Sequence, residues 1–130
     1  MSFKLPLYIS TIHAGFPSPA ESYVESKIDL NEFLVDHPAA TFLVRAKGDS
    51  MFDCGISDGD ILVVDRSVEP KDNSIIIAVL SEEFTVKRLK IKKGEYYLFP
   101  ENQEYREIKV TEDMEFEVWG VVTKVIKDLS

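Results

Sequence analysis

SIIIAVLSEEFTVKRLKIKKGEYYLFP, residues 74–100, is the stretch on which the fold turns. SIIIAVL, EFTVKRLKI and EYYLFP are short runs rich in β-branched and aromatic residues, which suit strands. Lys93-Gly94 between the last two supplies turn chemistry. In EFTVKRLKI, period-two alternation puts Thr85, Lys87, Leu89 and Ile91 on one face and Phe84, Val86, Arg88 and Lys90 on the other. Working outward, TFLVRAKG and ILVVD upstream and EFEVWGVVTKVI downstream have the same character, with Asp58-Gly59 and Pro70-Lys-Asp-Asn73 as further turns. Several short strands without long intervening helices predict a mainly β fold, a sandwich or a partly open barrel, rather than a parallel α/β sheet.

Before the strands the pattern changes. Residues 1–26 hold Pro6, Pro17 and Pro19, with Gly15 among them, so neither a helix nor a central strand can run through them, and they read as an extended arm. IDLNEFLVDHP follows, with Asp29 placed to cap, Glu32 three residues on and Leu30, Phe33 and Leu34 at helical spacing, which predicts one short helix stopped by Pro38. We therefore expect an arm over 1–28 and a single β-rich core over 29–130.

With 45% hydrophobic residues, 29% charged and a formal charge of −8, the chain has the composition of a soluble domain and repels the phosphate backbone that dominates non-specific nucleic-acid affinity. Direct DNA binding is not expected. The single Cys54 cannot form an internal disulfide, and neither a signal peptide nor an apolar run long enough to span a bilayer is present, which points to the cytoplasm and away from a membrane. Asp53, Asp58, Asp60 and Asp65 lack the EF-hand spacing and terminal glutamate, so no metal and no cofactor is assigned. Trp119, with Phe116, Val118, Val121 and Val122, reads as core or dimer interface.

RAKGDSMFDC, residues 45–54, follows a strand-like run and presents Ser50 as a nucleophile. Both histidines, His13 and His37, lie upstream of it. His13 falls in the arm, and His37 reads as a residue at a helix C-terminus, where the dipole favours it. Gly48-Asp49-Ser50 opens the GDSL esterase motif, whose histidine comes late in the chain, and none does here. A G-x-S-x-G elbow would need glycine at Phe52. The remaining base is a lysine, which must be neutral, so its pKa must fall from about 10.4 towards about 7, roughly 4 kcal/mol of differential stabilisation. Lys87 is the candidate, because its face of EFTVKRLKI is otherwise uncharged and Thr85, two residues before it, can orient an amine. On pattern alone an edge-strand lysine reaching to water is the stronger reading.

GDSM, GISDGDILVVD and EFTVKRL together resemble the C-terminal domain of the LexA/UmuD family of self-cleaving proteins, and the distance along the chain from Ser50 to Lys87 equals the family's spacing. The likeness extends over GFPSPAESYVESKIDLNEFLVDHPAATFLV and FEVWGVVTKVIK, nearly the whole chain. It implies a LexA/UmuD-like β core, Ser50 as nucleophile, Lys87 as base, the backbone N–H groups of Asp49 and Ser50 as oxyanion hole, and the Ala14-Gly15 bond as the bond cut, removing 1–14. It leaves the Asp49 carboxylate as a solvated turn group. Only fourteen residues precede Gly15, too few for the helix-turn-helix domain of a repressor. By resemblance the protein is then a homodimer of the SOS response. A RecA filament on single-stranded DNA would stimulate its cleavage, and the product would serve a UmuC-type Y-family polymerase in error-prone translesion synthesis. The competing expectation is a dimeric adaptor that binds RecA and polymerase without cleaving.

Overall fold

A computed structural model of the chain describes residues 3–8 and 24–130. The chain divides into two compact units, one up to Asp36 and one from His37 onward. In the first, β1 (Leu5–Tyr8) pairs antiparallel with β2 (Val24–Ile28), Pro6 standing opposite Lys27. Proline has no N–H to give to a ladder, and a two-stranded sheet, which is all edge, tolerates that. LPLY and VESKI carry no alternation that would announce strands, so the sequence shows extended chain here but not its pairing.

The short helix, α1 (Leu30–Leu34), begins as expected, with the Asp29 carboxylate accepting the Asn31 N–H at 2.9 Å. It does not run to Pro38. Val35 is already extended, with φ −128°, whereas a proline restricts only the residue before it, here His37. Pro38 instead opens a 3-10 turn, Pro38–Ala40, in the second unit, where its fixed φ suits the first helical position.

The rest of the second unit is one antiparallel sheet built from β3 (Thr41–Arg45), β4 (Ile61–Asp65), β5 (Ile75–Leu80), β6 (Glu83–Lys92), β7 (Glu95–Phe99), β8 (Ile108–Lys109) and β9 (Phe116–Ile126). The strand order is β3-β4-β9-β5-β6-β7-β8, so among the described residues β3 and β8 are open edges and the barrel is not closed. The expected mainly β, sandwich-like LexA/UmuD core is borne out. The first half of β9 pairs with β5, Phe116 opposite Leu80, and the second half with β4, Ile126 opposite Ile61. Register shifts in both ladders fall on either side of the changeover at Val121, and such bulges bend a strand into a corner. Gly120 occupies that corner because a Cβ there would lie 2.6 Å from Val64 Cγ1 and 3.3 Å from the Asp65 carbonyl oxygen.

Two apolar clusters result. Met51, Ile56, Leu62, Val64 and Ile77 centre one, and Ile76, Ala78, Leu89, Leu98 and Val121 the other. Neighbouring residues of β5 enter opposite clusters, which is why IIIAVL is a continuous apolar run rather than an alternation. Trp119 packs against the first cluster with Phe42 and Phe84 edge-on at 6.2 and 5.0 Å.

Candidate active site

The chain leaving β3 is tied to the chain entering β4: Ala46 N–H donates to the Asp60 carbonyl at 2.8 Å and Gly59 N–H to the Ala46 carbonyl at 2.9 Å. Gly48 then turns with φ +88°, a conformation that costs glycine nothing, and its N–H donates to Asp58 Oδ1 at 2.7 Å. Phe52 N–H closes the turn on the Asp49 carbonyl at 3.1 Å. Met51 is 2% exposed in the first cluster, and burying a side chain of that size contributes about 1.5–3 kcal/mol. Ser50 is thereby held half-buried between an anchored methionine and a capped glycine.

Lys87 comes from β6, which lies between β5 and β7. The edge-strand alternative is therefore wrong: the strand is interior and the side chain only partly reaches solvent. Its Nζ lies 2.7 Å from Thr85 Oγ1, 3.1 Å from the Val86 carbonyl oxygen and 3.2 Å from Ser50 Oγ. Burial lowers the Lys87 pKa from its ordinary value, as desolvation of an ammonium must. The structure thus brings Ser50, Lys87 and Thr85 together. Beside Ser50 and Thr85 opens a groove of about 260 Å³ whose walls include Val44, Ala46, Leu62 and Val86. The N–H groups of Asp49 and Ser50 find no acceptor among the described residues. Ala14, Gly15 and His13 lie outside the described residues.

His37 Nδ1 is 2.6 Å from Asp65 Oδ2. Asp65 pairs with Thr41, whereas the Ser50 turn leaves the other end of that ladder, where Arg45 pairs with Ile61. Four residues of strand separate the two places, about 13 Å at ~3.3 Å per residue, so this histidine is no base for Ser50. Asp65 also accepts the Ser67 hydroxyl at 2.6 Å and the Ser67 N–H at 2.8 Å. The Ser67 contact first, then His37, hold its carboxyl down at about 2.

Asp58 and Asp60 are likewise occupied. Asp58 caps Gly48, and Asp60 accepts the Ser57 N–H at 2.7 Å and pairs with Lys127. Among the described residues no group of three His, Cys, Asp or Glu side chains is arranged to hold a metal ion, and no helix is long and apolar enough to cross a membrane.

Sequence reasoning missed the segment after β7. The Asp49 carboxylate is not merely solvated, since it accepts the Tyr105 hydroxyl at 2.7 Å, and the Asp49 carbonyl accepts Asn102 Nδ2 at 2.8 Å. Nothing in ENQEY signals this, because both contacts join residues more than fifty positions apart.

Ser50 and Lys87 thus stand within hydrogen-bond distance on this sheet, and the family model of Peptidase S24-like proteins matches residues 6–123. The chain belongs to that family, as the resemblance in its motifs implied. It is 45% identical over 121 residues to Protein MucA of Salmonella typhimurium, covering 92% of this chain and 82% of MucA. Protein SamA of Salmonella typhimurium strain LT2 is 45% identical over 121 residues, 93% of this chain and 84% of SamA. The LexA repressor of Colwellia psychrerythraea is 38% identical over 126 residues, 95% of this chain but 58% of the repressor.

Proposed function

We propose that this chain is a cytoplasmic SOS mutagenesis protein that cuts its own Ala14-Gly15 bond with Ser50 as nucleophile and Lys87 as base. The observation that carries the reading is the placement of Lys87 Nζ, partly desolvated and 3.2 Å from Ser50 Oγ. A neutral amine has two N–H groups and one lone pair. The Val86 carbonyl can only accept, and Thr85 Oγ1 lies at 2.7 Å, so directing the two N–H groups there leaves the lone pair for the Ser50 hydroxyl. Thr85 is in this way the orienting residue.

Ser50 Oγ gives its proton to Lys87 as it attacks the Ala14 carbonyl carbon. The Asp49 and Ser50 N–H groups receive the oxyanion, and the lysine returns the proton to the Gly15 nitrogen as the C–N bond breaks. Lys87 then takes a proton from water as that water attacks the ester carbon, and returns it to Ser50 Oγ as the ester C–O bond breaks, leaving a carboxyl group on Ala14. The groove beside the serine has apolar walls at Val44, Ala46, Leu62 and Val86, against which a methyl side chain such as that of Ala14 can pack. No metal or cofactor takes part. In this reading the 15–130 product acts as a homodimer with a UmuC-type Y-family polymerase, and RecA on single-stranded DNA stimulates the cut, so DNA is met through partners rather than directly.

The test is the mass of the protein after incubation with RecA, ATP and single-stranded DNA. Loss of residues 1–14 in the native protein and an intact chain in Ser50→Ala are expected. An intact native chain that still binds polymerase and RecA would favour the non-cleaving adaptor instead.

A further inference from the structure

The contacts of the Ser50 turn point beyond the two residues that do the chemistry. Three consecutive links join it to the segment following β7. Asn102 Nδ2 donates to the Asp49 carbonyl at 2.8 Å, the Tyr105 hydroxyl donates to Asp49 Oδ1 at 2.7 Å, and the Asp53 N–H donates to the Glu101 carbonyl at 2.6 Å. Glu101 also pairs through Oε1 with Arg88 Nε, and Arg88 is the residue after Lys87 on β6. One short segment therefore grips the Asp49–Ser50 peptide unit, the oxyanion hole of the proposed mechanism, and, through Glu101, the strand that carries Lys87.

The Asp49 carbonyl belongs to the same rigid peptide plane as the Ser50 N–H. An amide held at its oxygen by Asn102 has its N–H direction fixed as well, and Tyr105 fixes the preceding residue through its side chain. Asn102 also accepts the Glu104 N–H with its own side-chain oxygen at 3.0 Å, which sets the amide so that Nδ2 is the atom presented to Asp49. The Asp49 carboxylate raises the Tyr105 pKa above its ordinary value, which favours the phenol as the donor in this contact.

We propose that the 101–105 segment is a positioning clamp for the oxyanion-binding turn, with Asn102 and Tyr105 as positioning residues that act on Ser50 through Asp49. This rests on the Ser-Lys reading of the site. A donor displaced by about 1 Å from a developing oxyanion loses much of its effect, so removal of either contact should slow the acylation step without changing how readily Lys87 loses its proton.

The experiment measures self-cleavage of the full chain from pH 7 to 10.5 by mass, without RecA, in the native protein, Tyr105→Phe and Asn102→Ala. Labelling of Ser50 by a fluorophosphonate runs in parallel, and thermal midpoints check folding. The expected result is a plateau rate roughly tenfold lower in each variant, an unchanged inflection pH, labelling slowed to match and near-native midpoints. Asn102→Gln, which keeps the donor, should recover part of the rate. Native plateau rates in both variants would overturn the clamp while leaving the dyad standing, as would an inflection that moves while the plateau does not. A native chain neither cut nor labelled at any pH would overturn the Ser-Lys reading itself and the clamp with it.

Discussion

Replacing Lys87 by methionine separates chemistry from stability. Methionine keeps the length and much of the volume of the stem while removing Nζ and its contacts at 2.7, 3.1 and 3.2 Å. A positioned general base is worth about 10²–10⁴ in rate, so the barrier to cutting Ala14-Gly15 should rise by about 3–5 kcal/mol. Stability should hardly move. Thr85, Ser50 and the Val86 carbonyl each lose one hydrogen-bond partner, at about 0.5–1.5 kcal/mol apiece where the group stays buried, while the native state is relieved of a half-buried ammonium whose charge burial disfavours. The two effects oppose, and the net change at pH 7 should stay within about 1 kcal/mol.

Linkage supplies an independent sign. A lysine with a folded pKa below its unfolded value of about 10.4 is protonated more fully in the unfolded chain between those two values. Native stability must therefore rise with pH through that window relative to Lys87→Met. The assay is cleavage followed by mass from pH 7 to 10.5, where the native log rate should climb by about one per pH unit below the lysine's pKa, paired with urea unfolding at each pH. Native-rate cleavage in Lys87→Met would refute the base assignment. Lost cleavage accompanied by a stability drop above about 3 kcal/mol would show instead that the lysine is structural.

Thr85→Val removes the oxygen that lies 2.7 Å from Nζ and should lower the cleavage plateau by up to about tenfold; an unchanged plateau would remove Thr85 from the mechanism. Asp65→Asn should cost about 2 kcal/mol near neutral pH, because the carboxylate's pKa is held at about 2 in the fold. A depressed carboxylate stabilises the fold above its unfolded pKa and loses that contribution as pH falls towards the folded one, so native and variant urea midpoints should converge between about pH 4 and 2. Midpoints equally far apart at both ends would contradict it. Gly120→Ala drives a methyl to 2.6 Å from Val64 Cγ1, on a residue with no exposure and no room to yield, and should destabilise by about 1–3 kcal/mol, read as a lowered urea midpoint. An unshifted midpoint would mean that the β9 corner is not tightly packed.

What a chain of this kind reveals before folding depends on how far apart the interacting residues lie. Period-two alternation placed Thr85 and Lys87 on one face, and their side chains do meet at 2.7 Å, because two residues of one strand are neighbours by local geometry alone. ILVVD and IIIAVL were legible as strands from composition, although not as strands buried on both faces. The Asp29 cap was legible because capping acts over two or three residues. The desolvation of Lys87 was not, since it depends on β5 and β7 flanking β6 and on the Ser50 turn arriving from β3. The same limit hid the pairing of His37 with Asp65 and the grip of Asn102 and Tyr105 on Asp49.

A serine can be found by its motif, whereas the ionisation of the lysine proposed as its base depends on the folded sheet. That division explains why strand interior and turn must be read together. Interior placement disfavours the charge on Lys87, and the turn brings the Ser50 hydroxyl within 3.2 Å of its Nζ. Either alone leaves an inert residue: a buried lysine with no acid to relieve it, or a serine with no base.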